Sequence, residues 1–358
     1  MEEGTIYKRT LSLKAWIARR DLAILNLLLL LFVSQTTILQ VVRGESKPAP
    51  TKSGVKLTPT AKPGAPTKPF SAPANSGKLK AGTPEFLWKA VSDSGATLYL
   101  LGTIHEVKSD FYPLPQEMED ALTKSRALMV EIDPSKSDPI KIRDMTMSQG
   151  VLGQTDSLAN HISPKTMAAL MNSGVDPKLM QTFMRMRPWL VGLMLVQSEM
   201  AKLGYDPKLA IDAHFITSAR NQGKKVIPLE TEEFQFSVLA GFPEELQDQL
   251  LLKTLLEIKQ LKTEAGDLMK AWKDGSEKNM DTLITKDVKE HPEFNVFQDK
   301  LIYDRNVTMT EKLEAYLKGS DTYMVAVGSA HMVGERGICE LLRKKGYKVE
   351  QIKAGDKI

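Results

Sequence analysis

Two short stretches of the chain end an apolar run with a glycine that is followed, three residues later, by a histidine. The first contains Gly102 and His105, and the second contains Gly328 and His331. Ligand sites in α/β proteins gather at strand ends, and a glycine there lets the backbone approach a ligand closely. The two histidines are 226 positions apart, so they converge only if their strands are neighbours in one sheet. We predict that they are.

Two acidic residues stand at strand ends in the same way. Glu131 follows the apolar run 127–130, and Glu230 follows the apolar run 226–229. Charged side chains are rarely buried unless they are paired or bound to something. The pattern therefore predicts two histidines and two glutamates at four strand ends, facing one crevice of a parallel sheet.

This set of side chains suits three kinds of chemistry. Two imidazoles and a carboxylate hold a divalent ion in many hydrolytic sites and leave a position for water, while a second carboxylate takes a proton or orients a histidine. Without metal, a histidine acts as general base, a glutamate holds its tautomer and an arginine stabilises an oxyanion. In the third interpretation the crevice binds a ligand without turnover. The residues alone leave all three open.

The strands that position these residues lie at both ends of the folded region. A hairpin is predicted from runs 86–91 and 96–101, with further strands over 127–132, 225–229, 322–328 and 347–352. Helices fill residues 139–222 and the stretches 243–272, 294–317 and 334–345. This order predicts an α/β fold with a central mixed, mostly parallel sheet and a large helical middle segment.

The first 82 residues differ in composition from the rest. Residues 1–43 contain a basic segment followed by the apolar stretch 22–42, which is typical of a signal peptide or an N-terminal membrane anchor. The positive charge before it predicts that the rest of the chain is exported to the periplasm or the cell exterior. Residues 44–82 are rich in proline and lysine and predict a disordered linker. Residues 83–358 form the folded domain.

The charge and composition of the chain indicate which kinds of binding partner to expect. The chain has a formal net charge of +4, but residues 83–358 hold 35 basic and 40 acidic residues. Nucleic-acid binding by the folded domain is therefore not expected, whereas the basic linker suits contact with anionic lipids. Between Met118 and Met200 lie eleven of the seventeen methionines. They indicate either core packing or a groove for variable peptides.

The ordered set of motifs resembles the TraB/GumN family, which includes the TIKI proteases. The resemblance runs from about Phe86 to Ile352 and rests on the two glycine-histidine strand ends, Glu131 in Val-Glu-Ile-Asp, and four further matches: Arg187-Pro188-Trp189, Leu229-Glu230-Thr231, Arg305-Asn306 and Val327-Gly328-Ser329-Ala330-His331. The sequence differs from the family pattern at two places. It has Phe234-Gln235 where family members commonly have Glu-Gln, and Ala210-Ile211-Asp212 where they commonly have Gly-x-Asp.

That resemblance implies a fold similar to the erythromycin esterase and ChaN-like hydrolases. By the same resemblance, His105, Glu131 and His331 form the active site and bind a divalent metal such as Mn, Co or Zn, with Glu230, Arg305 and Asn306 as companions. The implied function is an exported or membrane-tethered, metal-dependent peptidase. A metal-independent, esterase-like hydrolase and a non-catalytic ligand-binding or signalling module stay open as alternatives. The substrate is expected to be a peptide or a small ester or amide, and the oligomeric state is left open.

Overall fold

The structure is a computed structural model that describes residues 80–290 and 292–358. The segment 1–43 and nearly all of the linker 44–82 lie outside the described residues, so their assignments stay predictions. None of the helices within the described ranges is long and apolar enough to cross a membrane.

Six strands form one sheet at the centre of the fold. They are β1 Pro84–Val91, β2 Thr97–Thr103, β3 Ala127–Val130, β4 Lys225–Pro228, β5 Thr322–Gly328 and β6 Lys348–Lys353. Their order across the sheet is β4-β3-β5-β2-β1-β6. The four strands β4, β3, β5 and β2 are parallel, while β1 runs antiparallel to both β2 and β6. The predicted mixed, mostly parallel sheet is confirmed.

Helices occupy most of the chain between the strands. They are α1 Gln116–Lys124, α2 Pro139–Gln149, α3 Pro164–Met171, α4 Pro177–Phe183, α5 Pro188–Lys202, α6 Ile211–Asn221, α7 Glu232–Ala240, α8 Glu244–Glu257, α9 Leu261–Lys273, α10 Glu277–Glu290, α11 Asn295–Gln298, α12 Asp304–Leu317 and α13 Ile338–Lys344. Three of the middle helices begin at a capping residue, because the side chains of Asp138, Ser163 and Asp176 accept hydrogen bonds from first-turn amides.

The longer helical predictions are interrupted in the structure. A 3-10 turn at Ile258–Gln260 divides the predicted helix 243–272 into α8 and α9. A π-helical turn at Asp299–Tyr303 lies inside the predicted helix 294–317. The sequence prediction also missed α10. Local periodicity does not report a 3-10 or π-helical turn, because such a turn changes the hydrogen bonding over only a few residues.

The two histidine-bearing strands are neighbours, as predicted. In the parallel pair of β2 and β5, Gly102 lies opposite Val327 and Thr103 lies opposite Gly328. A Cβ atom on Gly102 would lie 2.5 Å from the Phe86 ring, so this glycine is required by core packing rather than by a ligand. Gly328 differs, because its Cβ would point toward the site described below.

The methionine-rich middle segment contributes mostly to the core. Nine of the eleven methionines between 118 and 200 are buried or half-buried, which confirms core packing as their main role. Met147 and Met171 are the exceptions, with 52% and 65% of their surface exposed.

Two titratable groups outside the strand-end site are held by carboxyl groups. The imidazole of His161 lies 2.7 Å from Asp156 and 2.9 Å from Glu244, at the first residue of α8. The bond with Glu244 raises the pKa of His161, against the effect of burial. Near the start of β1, burial and then the neighbouring Glu117 raise the pKa of Glu85 to about 8.

Candidate active site

The strand ends bring the predicted side chains of His105, Glu131 and His331 into one buried cluster. His105 lies just beyond β2, Glu131 directly follows β3, and His331 ends a 3-10 turn after β5. Both Nε2 atoms face the same carboxylate oxygen: Glu131 Oε1 lies 3.9 Å from Nε2 of His105 and 3.8 Å from Nε2 of His331. All three side chains are at least 95% buried. The convergence predicted from the sequence is confirmed.

Asn306 fixes the protonation of the His331 ring. Its Nδ2 donates a hydrogen bond to the carbonyl of Arg336 at 2.8 Å, which turns its Oδ1 toward Nδ1 of His331 at 2.6 Å. An amide oxygen accepts only, so Nδ1 carries the hydrogen. The neutral imidazole then has its lone pair on Nε2, which has no hydrogen-bond partner in the described part of the chain.

Asp212, at the second residue of α6, plays the corresponding part for His105. Its Oδ1 lies 3.3 Å from Nδ1 of His105, and its side chain is buried. A carboxylate beside Nδ1 favours a hydrogen on that nitrogen, so Nε2 of His105 is left to face Glu131. Both histidines are therefore held in the same orientation by an oxygen from a helix.

The Glu131 carboxylate is bound at both oxygens. Oε1 accepts a hydrogen bond from the Gly328 amide at 2.7 Å, and Oε2 accepts from Arg305 at 2.5 Å and from Gln235 at 3.0 Å. Burial alone would raise the pKa of this carboxyl. The Arg305 charge, followed by the two imidazoles and the Gly328 amide, outweighs it and lowers the pKa to about 2. Glu131 is ionised.

Arg305 joins the two predicted glutamates. Its Nη2 bonds both Glu131 and Glu230, the latter at 2.7 Å, and its Nε bonds the Glu230 carboxylate at 3.0 and 3.1 Å. Nη1 donates to the carbonyl of Leu301 at 2.8 Å, inside the π-helical turn. Such turns are frequent at functional sites. The sequence suggested that an arginine stabilises an oxyanion, whereas the structure places Arg305 between two carboxylates.

The two imidazoles differ in electrostatic environment. Burial and then the Arg305 charge lower the pKa of His331 to about 3, so this ring is neutral. Burial also acts to lower the pKa of His105, but the charge and hydrogen bond of Asp212 outweigh it and raise the pKa. The difference follows from their partners, since Asp212 is a carboxylic acid and Asn306 is a neutral amide.

The donor atoms suit a divalent cation in type and charge. The buried cluster contains three carboxylates and one guanidinium, because Arg305 pairs with Glu131 and Glu230 while Asp212 lies beside His105, so its formal net charge is −2 with both imidazoles neutral. The Nε2 atoms of the two imidazoles and one carboxylate oxygen converge in a buried site, where a cation or a proton between them would stabilise the arrangement. Imidazole nitrogen and carboxylate oxygen are usual ligands of zinc and similar ions.

The spacing of the donors is somewhat wide for a metal. Ligands about 2.1 Å from a tetrahedral ion lie about 3.4 Å apart, compared with 3.8 and 3.9 Å here. In agreement, no group of three His, Cys, Asp or Glu side chains within the described ranges is spaced as a ready-made metal site. A contraction of roughly half an ångström, within the reach of side-chain motion, would bring each imidazole nitrogen to the separation from Glu131 Oε1 that two ligands of one ion have.

Two buried residues of the cluster were not among the predicted site residues. Asp212 and Gln235 lie on helices, and both were noted only for their place in the family pattern. Gln235 donates to Glu131 and to Glu230, each at 3.0 Å, so the departure at Phe234-Gln235 leaves these contacts intact. The acidic residue near the start of a predicted helix was the signal that could have identified Asp212.

Comparisons with known proteins agree with this arrangement of motifs. The sequence profile of the TraB/PrgY/gumN family matches residues 86–351. The uncharacterized protein YbaP of Escherichia coli is 27% identical over 269 residues, which cover 72% of this chain and 93% of YbaP. The chain is thus similar to a bacterial protein over nearly the whole length of that protein.

Two relatives carry names that include an activity. Metalloprotease TIKI1 of Danio rerio is 23% identical over 320 residues, which cover 75% of this chain and 63% of TIKI1. The Metalloprotease TIKI homolog of Amphimedon queenslandica is 37% identical over 68 residues, which cover 18% of this chain and 13% of that protein. No solved structure matches the chain. These likenesses are compatible with a hydrolase, and they leave the specific activity and the metal open.

Proposed function

Because the chain belongs to the TraB/PrgY/gumN family, we propose that it is a hydrolase, and specifically a divalent-metal-dependent peptidase. The observation that carries this proposal is the convergence of two Nε2 atoms on one oxygen of an ionised carboxylate in a buried cluster. Two imidazoles and one carboxylate are the ligand set of several hydrolytic metal enzymes.

His105, Glu131 and His331 would hold the ion. A divalent ion bound there would act as a Lewis acid toward a carbonyl group and toward water. The other residues of the cluster prepare these ligands. Arg305 keeps Glu131 ionised, and Asn306 holds His331 with Nε2 unprotonated. Ordered partners of this kind raise ligand basicity and fix ligand orientation.

A metal-independent hydrolase is the second candidate. It is favoured by the wide donor spacing of 3.8 and 3.9 Å and by the pairing of His105 with Asp212 at 3.3 Å. In that mechanism His105 removes a proton from water through Nε2, and Asp212 stabilises the imidazolium that forms. Glu131 would then stabilise the charged ring from the opposite side.

The location and the substrate are further parts of the proposal. The N-terminal apolar segment 22–42 and the basic residues before it support export, with the segment either removed or kept as a membrane anchor. We propose that the domain acts outside the cytoplasm on peptides. The TIKI relatives, which are named metalloproteases, support this choice of substrate over a small ester.

Metal removal and reloading can distinguish the metal-dependent from the metal-independent mechanism. Full-length protein is dialysed against a chelator, reloaded with Mn²⁺, Co²⁺ or Zn²⁺, and incubated with a mixture of peptides whose cleavage is followed by mass spectrometry. We expect cleavage only after reloading, and its loss in His105→Gln and His331→Gln but not in the control His161→Gln.

Cleavage that survives complete chelation yet is abolished by His105→Gln would replace the metal mechanism with the metal-independent one. An absence of cleavage with every ion would favour the ligand-binding alternative.

A further inference from the structure

A cavity lies in the helical middle segment, away from the strand ends. It has a volume of about 440 Å³ and lies between the C-terminal end of α2 and helix α4. Met147, Val151 and Met186 supply its apolar lining, and Lys178 and Arg185 supply two cations. Cavities of this size are large enough for an amino-acid side chain and part of its backbone. Nothing in the proposed active site uses this cavity.

Exposed apolar side chains lie along α2 and near the start of α7. Ile140 and Met147 are separated by two turns on one face of α2 and are 54% and 52% exposed. Phe234, which is 45% exposed, lies on α7 beside the start of α2, because its neighbour Glu233 forms an ion pair with Lys141 at 2.7 Å. We call Phe234, Ile140, Met147 and the cavity the α2 surface.

Gln235 connects helix α7 to the active site. This residue follows Phe234 in α7, and its amide contacts Glu131 and Glu230. Helix α2 has 11 residues and is therefore about 16 Å long. An extended peptide covers that distance with about five residues. A peptide of about five residues would therefore extend from the cavity along the whole of α2.

The charge of this region differs from that of the folded domain. Residues 139–188 contain six basic and three acidic residues, although residues 83–358 have more acidic than basic residues. Arg185 is held rigidly, since its guanidinium donates to four carbonyls between Leu152 and Asp156. Lys178 is exposed and forms no ion pair with the residues that the structure describes. An apolar cavity with a cationic rim is complementary to an apolar group that has negative charges beside it.

We propose that the α2 surface binds the substrate peptide outside the active site and selects peptides with a large apolar residue next to acidic residues. This inference rests on the proposed peptidase function and names its class of substrate. A peptide fits better than a single small molecule because the exposed apolar side chains extend from the cavity along α2, rather than lining one closed pocket.

The test measures binding of a fluorescein-labelled ten-residue peptide, in which one leucine lies between two glutamates in a glycine-serine background, to the full-length protein. Fluorescence anisotropy is recorded, and mass spectrometry checks that the peptide stays intact. We expect Met147→Asp to weaken binding about tenfold and Lys178→Glu about fivefold, because each places negative charge against an acidic ligand. The matched controls Met171→Asp and Lys208→Glu change exposed residues outside the cavity and should alter binding less than about twofold.

Two companion peptides test the stated chemistry. Replacing the leucine with serine, or both glutamates with lysine, should weaken binding to the wild-type protein. The inference is overturned if Met147→Asp and Met171→Asp behave alike, or if the lysine peptide binds as tightly as the glutamate peptide. It is also overturned if phosphatidylglycerol vesicles bind with the same sensitivity to Met147→Asp while no peptide binds, since the ligand would then be a lipid.

Binding and cleavage fail independently in this design. If the peptide binds as expected but no peptide is ever cleaved with any ion, the α2 surface is supported and the peptidase proposal is wrong. If peptides are cleaved but Met147→Asp leaves their KM unchanged, the peptidase proposal stands and the α2 surface is not part of it.

Discussion

Removal of the Arg305 charge should destabilise the protein more than most single substitutions. The guanidinium is fully buried and bonds two carboxylates, Glu131 and Glu230, as well as the Leu301 carbonyl. Arg305→Met would leave two buried carboxylates beside each other without a counter-charge. Breaking a buried pair by removing one partner typically costs about 3–5 kcal/mol, and here one cation serves two anions. We therefore expect a loss of about 4 kcal/mol or more in the free energy of unfolding.

Urea unfolding followed by circular dichroism measures this loss, with Arg126→Met as the control because Arg126 pairs with Asp321 at the surface. The control should cost less than about 1 kcal/mol. The double variant Arg305→Met with Glu230→Gln should recover part of the stability, since it removes one of the two unpaired charges. A loss below about 1 kcal/mol in Arg305→Met, or no recovery in the double variant, would refute the account of Arg305 as the shared counter-ion.

Three further substitutions test single features of the structure. Because the pKa of His161 is raised in the folded protein, the stabilising contribution of this residue is complete below pH 6.5 and is lost as the pH rises through the folded-state pKa. His161→Gln should therefore lower the Tm at pH 5.5 and have less effect at pH 8.5. Equal effects at the two pH values would contradict the pairing of His161 with its carboxylates. The pKa of Glu85 is raised to about 8, so this carboxyl lowers the stability of the fold increasingly as the pH rises from 4.5 to 8. Glu85→Gln should raise the Tm at pH 8.5 and leave it unchanged at pH 4.5. A stabilisation that is the same at both pH values would argue against a buried, protonated carboxyl. In Gly328→Ala the new Cβ would lie 3.2 Å from Glu131 Oε1 and 3.4 Å from Nε2 of His105. The variant should therefore fold but bind Mn²⁺ more weakly, as measured by isothermal titration calorimetry. An unchanged affinity would exclude this glycine from the site.

The part of the site that lies at strand ends could be predicted from the sequence. Apolar runs identify buried strands, and a histidine or glutamate directly after such a run has few places to go other than the carboxyl edge of the sheet. His105, Glu131, Glu230 and His331 were located in this way. Their convergence required one assumption, that β2 and β5 are neighbours, and the strand pairing confirms it.

The part of the site that comes from helices could not be predicted in the same way. Asp212 and Gln235 are polar residues near helix starts, where acidic and polar side chains commonly cap or face solvent. Whether such a residue is buried depends on how its helix packs on the sheet, which is a tertiary property. The π-helical turn before Arg305 was missed for a different reason, since it extends over only five residues and such a short change of hydrogen bonding has no clear sequence pattern.

If the two histidines bind a metal ion as proposed, the site is a cation site whose ligands are preorganised. Asp212 and Asn306 hold the two rings with Nε2 directed at Glu131. The two Nε2 atoms and a carboxylate oxygen converge in a buried, net-negative cluster, which favours a cation between them. A bound ion should therefore stabilise the fold as well as supply chemistry.

Binding of Mn²⁺ to full-length protein, followed by electron paramagnetic resonance of the free ion, tests this claim most directly. We predict one bound ion per chain in the wild-type protein and in His161→Gln, and none at the same concentrations in His331→Gln. Equal binding by all three proteins would contradict the claim that His105, Glu131 and His331 form a metal site.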